Sequence, residues 1–155
     1  MYRCTDTDNN PLHRFTQFLC ALTAFVFLSG CEVEVPVEES MAGVDRTLEI
    51  RKQAIDNKDL ELYKSILLPE YSSSGVPLDN VIGDLERIFS TEEQIEFIYQ
   101  NAPASIAMNT ARVTHMIEYK LTPSGKSKKM RETIHLRRVN DTWFISGGII
   151  LGLSL

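Results

Sequence analysis

The stretch Arg112-Val113-Thr114-His115-Met116-Ile117-Glu118-Tyr119-Lys120-Leu121-Thr122-Pro123-Ser124-Gly125 decides the fold. Val113, His115, Ile117, Tyr119 and Leu121 alternate with Arg112, Thr114, Glu118 and Lys120. Period two over this length is the mark of a strand buried on one face. Pro123-Ser124-Gly125 then signals a hairpin turn. The return strand runs from about Lys128 to Val139, with Met130, Ile134 and Leu136 on its apolar face. Asn140-Asp141 marks the next turn. Trp143 and Ile145 open a last strand, broken by Gly147-Gly148. Upstream, Ile95, Phe97 and Tyr99 alternate with Gln94, Glu96 and Gln100, and a shorter strand is expected over Ala104–Met108.

Before Thr91 the period is helical. Val44, Leu48 and Ile55 share one stripe, with Ile50 and Ala54 beside it, predicting a helix over Val44–Asn57 that stops at Asn57. Asp59 caps a short second helix bearing Leu60, Tyr63, Ile66 and Leu67, ended by Pro69. Tyr71–Gly75 reads as a loop. Pro77 opens a third helix with Leu78, Val81, Leu85, Ile88 and Phe89 on one face, slightly weakened by Gly83. Helices first and antiparallel strands after make an α+β chain.

The first thirty residues read as an address. Arg3, His13 and Arg14 form a basic start. Phe15–Leu28 is apolar but shorter than the roughly 20 residues of a spanning helix. Leu28-Ser29-Gly30-Cys31 resembles the bacterial lipobox, an aliphatic residue and two small ones before a cysteine. The resemblance implies cleavage before Cys31 and lipidation of its sulfur, with an anchor of more than one acyl chain, which holds stably to a membrane. Glu32, in place of the aspartate linked to inner-membrane retention, points to the outer membrane, facing the periplasm. The expected organisation is a signal peptide over 1–30, the lipidated cysteine and an extended acidic spacer over 31–42, and an α+β domain over 43–155.

Arg3 and Arg14 balance Asp6 and Asp8, so processing leaves the net charge at −5. A mildly acidic chain has no footprint for nucleic acid. Cys4 and Cys20 fall in the signal, so no disulfide framework and no cysteine-based metal site is expected. His115 and His135 face opposite sides of the sheet by strand parity, which also argues against a metal, and no cofactor is expected.

The order and spacing of elements over Val44–Ile149 resemble the nuclear-transport-factor-2-like (NTF2-like), or SnoaL-like, superfamily. The matching features are Ala54-Ile55-Asp56-Asn57-Lys58-Asp59 closing the first helix, Tyr71 after the second, the hairpin at Ser124-Gly125 and the closing Asp141-Thr142-Trp143-Phe144-Ile145. The resemblance implies a cone-shaped α+β barrel, a bent antiparallel sheet wrapped around a helix. It implies no single reaction.

Two residues on inward positions bear chemistry. His115 stands on the apolar face of its strand, where it serves either as a general base or as a core histidine held by a hydrogen bond. Glu132 shares the register of Met130, Ile134 and Leu136. An inward carboxylate is expected to have a raised pKa, with His115 or Tyr119 across from it. Tyr63, Tyr71, Tyr99, Tyr119 and Trp143 are candidates for an aromatic pocket. Lys128, Lys129, Arg131, Arg137 and Arg138 form a basic strand, read as a solvated face with covering stems. The favoured expectation is a membrane-anchored envelope lipoprotein whose domain binds a small apolar ligand or a protein partner without catalysis. The alternative is a SnoaL-like lyase or isomerase using His115 and Glu132. A homodimer through the sheet face is the third expectation.

Overall fold

The computed structural model describes residues 37–73, 75–100 and 102–151. The expected signal peptide and the lipidation site Cys31 lie outside them. Helix α1, Val37–Asp56, is longer than its apolar stripe suggests. Its first turns, Val37–Met41, occupy the part of the sequence expected to be extended spacer. Glu38 and Glu39 lie in the first turn, where carboxylates favour the positive end of the helix dipole. Ser40 is already buried there. The helix does not turn at Asn57. Lys58 takes the left-handed conformation (φ 54°), while Lys58 N–H donates to Ile55 O and Asp59 N–H to Ala54 O. That pair of bonds is a Schellman closure with Lys58 at its hinge.

Helix α2 is Leu60–Lys64, capped by the Asp59 carboxylate, which accepts from Leu62 N–H at 2.9 Å. Ile66 and Leu67 lie beyond it, where the chain pairs with the closing strand through Leu68 N–H to Ile145 O and Ile145 N–H to Ile66 O. The expected loop after Tyr71 contains a small hairpin, β1 (Ser72–Ser73) with β2 (Val76–Pro77). Helix α3, Leu78–Phe89, buries Val81, Leu85 and Ile88.

The main sheet is antiparallel: β3 (Gln94–Tyr99), β4 (Ser105–Ala107), β5 (Thr110–Thr122), β6 (Ser127–Val139) and β7 (Thr142–Gly147). Strand β5 is its spine. It pairs with β3 and β4 along one edge and with β6 along the other, and β7 closes on β6. Every expected inward residue of β5, from Val113 to Leu121, is buried. Gly125 (φ 71°) carries the β5–β6 hairpin, and Asn140 and Asp141 (φ 48° and 61°) make a two-residue turn of the kind that matches strand twist.

Helix α1 lies in the hollow of this sheet and crosses it, starting on β7 and ending on β3. Gly43 touches Trp143, Thr47 Oγ1 donates to Trp143 O (2.9 Å), and Asp56 accepts from Phe97 N–H (2.7 Å). Trp143 pairs with Arg138 near the Thr110 end of β5, whereas Phe97 pairs with Tyr119 near the other end. The helix therefore starts at the end that holds the β4–β5 and β6–β7 turns. One helix held inside a curled antiparallel sheet is the α+β cone expected from the element order.

Candidate functional site

Register brings the two inward oddities together. His115 and Glu132 are direct partners across β5 and β6. His115 Nε2 lies 3.2 Å from Glu132 Oε2. The third member comes from α1. Arg51 sits on the buried stripe Val44, Thr47, Leu48, Arg51, Ala54 and Ile55. Its guanidinium meets Glu132 as a fork, Nη1 to Oε2 at 2.6 Å and Nη2 to Oε1 at 2.9 Å. Its Nε donates to the Tyr63 hydroxyl at 3.0 Å. The Arg51 and Glu132 side chains are 1% and 0% exposed, so this ion pair is sealed from water.

A fourth donor arrives from beyond the sheet. The bulge between β6 and β7 and the left-handed Gly148 (φ 88°) turn the chain back across the sheet. Three successive backbone N–H groups then donate to side chains: Gly148 to Ser73 Oγ, Ile149 to Tyr71 Oη, and Ile150 to Glu132 Oε1 at 2.8 Å. Gly148 cannot be replaced, because a Cβ there would lie 1.9 Å from Thr133 O.

Glu132 accepts from Arg51 twice, from His115 and from Ile150. A carboxylate offers about four acceptor positions, and all are taken. Burial alone would push its carboxyl up. The Arg51 charge and these hydrogen bonds outweigh that and hold it at about 2. This reverses the raised pKa expected from an inward carboxylate. Glu132 is fully buried in the middle of β6. Burial pulls the Arg51 guanidinium down, and Glu132 more than reverses this, so Arg51 stays charged. Because an ionised carboxylate only accepts, His115 Nε2 is the donor. Its Nδ1 has no partner among the described residues, and neither does the Tyr119 hydroxyl.

The expected aromatic residues divide. Tyr63, Tyr119 and Phe97 surround the guanidinium, with Arg51 Cζ 5.0 Å from the Phe97 ring centroid. Burial pushes both the Tyr63 and the Tyr119 hydroxyl up. The Tyr99 ring packs at a tilt against His115, centroids 5.7 Å apart, and its hydroxyl donates to Glu49. Burial and then the Glu49 charge raise that hydroxyl to about 12. Tyr71 ties down the returning chain. Trp143 packs on Gly43 and under Arg138, away from the ion pair. Lys129, Arg131 and Arg137 are exposed on the outer face, as expected, whereas Lys128 and Arg138 share the register of the inward residues as partners of Tyr119 and Trp143, Lys128 exposed near the strand's start and Arg138 half-buried.

Sequence reasoning missed Arg51. The signal was present, since Arg51 falls seven residues after Val44, on the buried stripe. A cation in the buried stripe of a helix and an anion in the buried stripe of a strand each need a partner, and each is the other's.

No family model matches the chain, and no curated protein matches it. Solved structures do, at the level of fold. A candidate dehydratase of the NTF2-like family from Streptomyces avermitilis is 17% identical with a TM-score of 0.61, over 73% of this chain and 95% of that one. An NTF2-like protein from Cytophaga hutchinsonii is 19% identical with a TM-score of 0.54, over 68% and 93%. Bd1075 of Bdellovibrio bacteriovorus is 16% identical with a TM-score of 0.62, over 70% of this chain, which spans only 40% of that one. The domain has the NTF2-like fold.

Proposed function

We propose that the chain is a lipid-anchored protein of the bacterial envelope whose NTF2-like domain binds and does not catalyse. One observation carries the second half: Glu132, the carboxylate placed to act as a base inside the cone, is charge-paired, fully hydrogen-bonded and held at about 2. A base must have a free lone pair and a pKa near the working pH, and Glu132 has neither. Arg51, Tyr63, Tyr119 and Phe97 occupy the space between α1 and the sheet, which favours a protein partner at the surface over a small apolar ligand within. The lipobox-like quartet Leu28–Cys31 supports the anchor.

The competing reading is a SnoaL-like lyase or isomerase. It draws on the His115–Glu132 contact and on the unpaired His115 Nδ1. Thermal melts of the lipid-free domain with a panel of small apolar and steroid-like ligands separate the two. No ligand should raise the Tm. A rise in wild type that His115→Ala abolishes without unfolding the domain would replace the surface partner with a ligand at His115, and conversion of that ligand to product by wild type but not by His115→Ala would sink the binding-only reading. The anchor is tested by growing cells on labelled palmitate. The wild-type chain should carry label and sediment with membranes, and Cys31→Ser should do neither. An unlabelled wild-type chain would remove the anchor.

A further inference from the structure

Among the described residues, five large apolar side chains are exposed: Val37 at 67%, Met41 at 37%, Val76 at 41%, Met108 at 80% and Ile150 at 45%. Three of them gather at one end. Val37 and Met41 lie on the opening turns of α1. Gly43, within the next turn, touches Trp143, which pairs with Arg138. Arg138 N–H donates to Asn109 O, and its guanidinium to Asn109 Oδ1 at 3.1 Å. Asn109 is the neighbour of Met108 in the β4–β5 turn. The Asn140-Asp141 turn completes this end. The opposite end carries Ser124, Lys126 and Glu93 and, among the described residues, no exposed large apolar one.

Met108 is the residue that folding does not explain. It has a positive φ of 52° in a turn where Gly or Asn would sit without strain. Its side chain is also the most exposed of the five. A bulky apolar residue kept in a strained, solvated position invites a search for what it touches.

The length of chain before α1 identifies the occupant. Six residue steps separate Cys31 from Val37, no more than about 20 Å even fully extended. On the reading that Cys31 is lipidated, on which this inference rests, the start of α1 is held within that distance of the bilayer. The end it belongs to carries Val37, Met41 and Met108. We infer that this end is a membrane-docking face. The domain stands on the bilayer that holds its own anchor, with Met108 and Met41 seated among the headgroups and the Ser124 turn pointing away. Charges at this end are mixed: Glu38, Glu39 and Asp141 offset Arg112, Arg137 and Arg138. The contact is therefore apolar, and depends little on lipid charge or salt.

The test uses the full lipidated chain in phosphatidylcholine vesicles, with an environment-sensitive fluorophore on Met108→Cys or, separately, on Ser124→Cys. Both positions are exposed, so neither label disturbs the core. Docking predicts that the label at 108 shifts to the blue and brightens about twofold on reconstitution, as for a group at the headgroup boundary. The label at 124 should keep its spectrum in water. Equal, water-like spectra at both positions, in a chain that floats with vesicles, overturn the docking face and leave the anchor standing. A chain that fails to float, with Cys31→Ser indistinguishable from it, removes both.

Discussion

Glu132 keeps its charge in the interior only because four donors converge on it, and removing any one of them is costly. Arg51→Ala leaves a buried carboxylate without its counter-ion and should destabilise the domain by about 3–5 kcal/mol. The joint replacement Arg51→Met with Glu132→Leu removes both charges and should cost far less. Urea melts of the two singles and the double make the cycle that checks this. A double as damaged as the sum of the singles would mean the pair is not coupled. Acid gives an independent reading. The folded pKa of Glu132, at about 2, lies below the ordinary value of 4.5. Its contribution is therefore complete above about pH 5 and is lost as pH falls towards 2. Wild type should lose on the order of 3 kcal/mol through this group over that window, and Glu132→Gln, already lacking it, should not. Strand parity alone reveals that His115 and Glu132 face inward. The depressed pKa needed Arg51, which reaches Glu132 across 81 residues of chain.

The helices show the same division between what is local and what is not. Two glycines sit within helices and should respond oppositely to alanine. Gly83 on α3 is exposed with nothing near its Cβ position, so Gly83→Ala should stabilise the domain by about 0.5–1 kcal/mol through lost chain entropy and better helix propensity. At Gly43 on α1 a Cβ would lie 2.6 Å from the Trp143 ring, so Gly43→Ala should lower the Tm despite the same gain in propensity. Thermal melts of both settle it, and a stabilised Gly43→Ala would refute the close packing of α1 on β7. Caps and turns are legible from residue type: Asp59 caps α2, and Asn140-Asp141 turns β6 into β7. The start of α1 is less so, because the acidic stretch reads as spacer until the burial of Ser40 against the fold favours helix.

At the scale of the molecule the chain after β7 acts as a clasp. Gly148, Ile149 and Ile150 tie the sheet to the β1 segment and to the ion pair. Truncation after Gly147 should therefore lower the Tm and also weaken the acid protection that Glu132 supplies, since one of its four donors is lost. An unchanged acid profile in the truncated domain would show that Ile150 contributes nothing to the charge. The sequence by itself determined the α+β order, the strand faces, the inward placement of His115 and Glu132, and the lipobox-like quartet before Cys31. These rest on periods of 2 and 3.6 residues and on turn chemistry, which act over a few neighbours. Only the tertiary structure decided that Glu132 is an ion-pair partner with no capacity left to act as a base. A carboxylate's pKa depends on the charges and hydrogen-bond donors within a few ångströms, and here the charge comes from a helix and the other donors from a neighbouring strand and a returning tail, which meet only once the sheet has curled around α1.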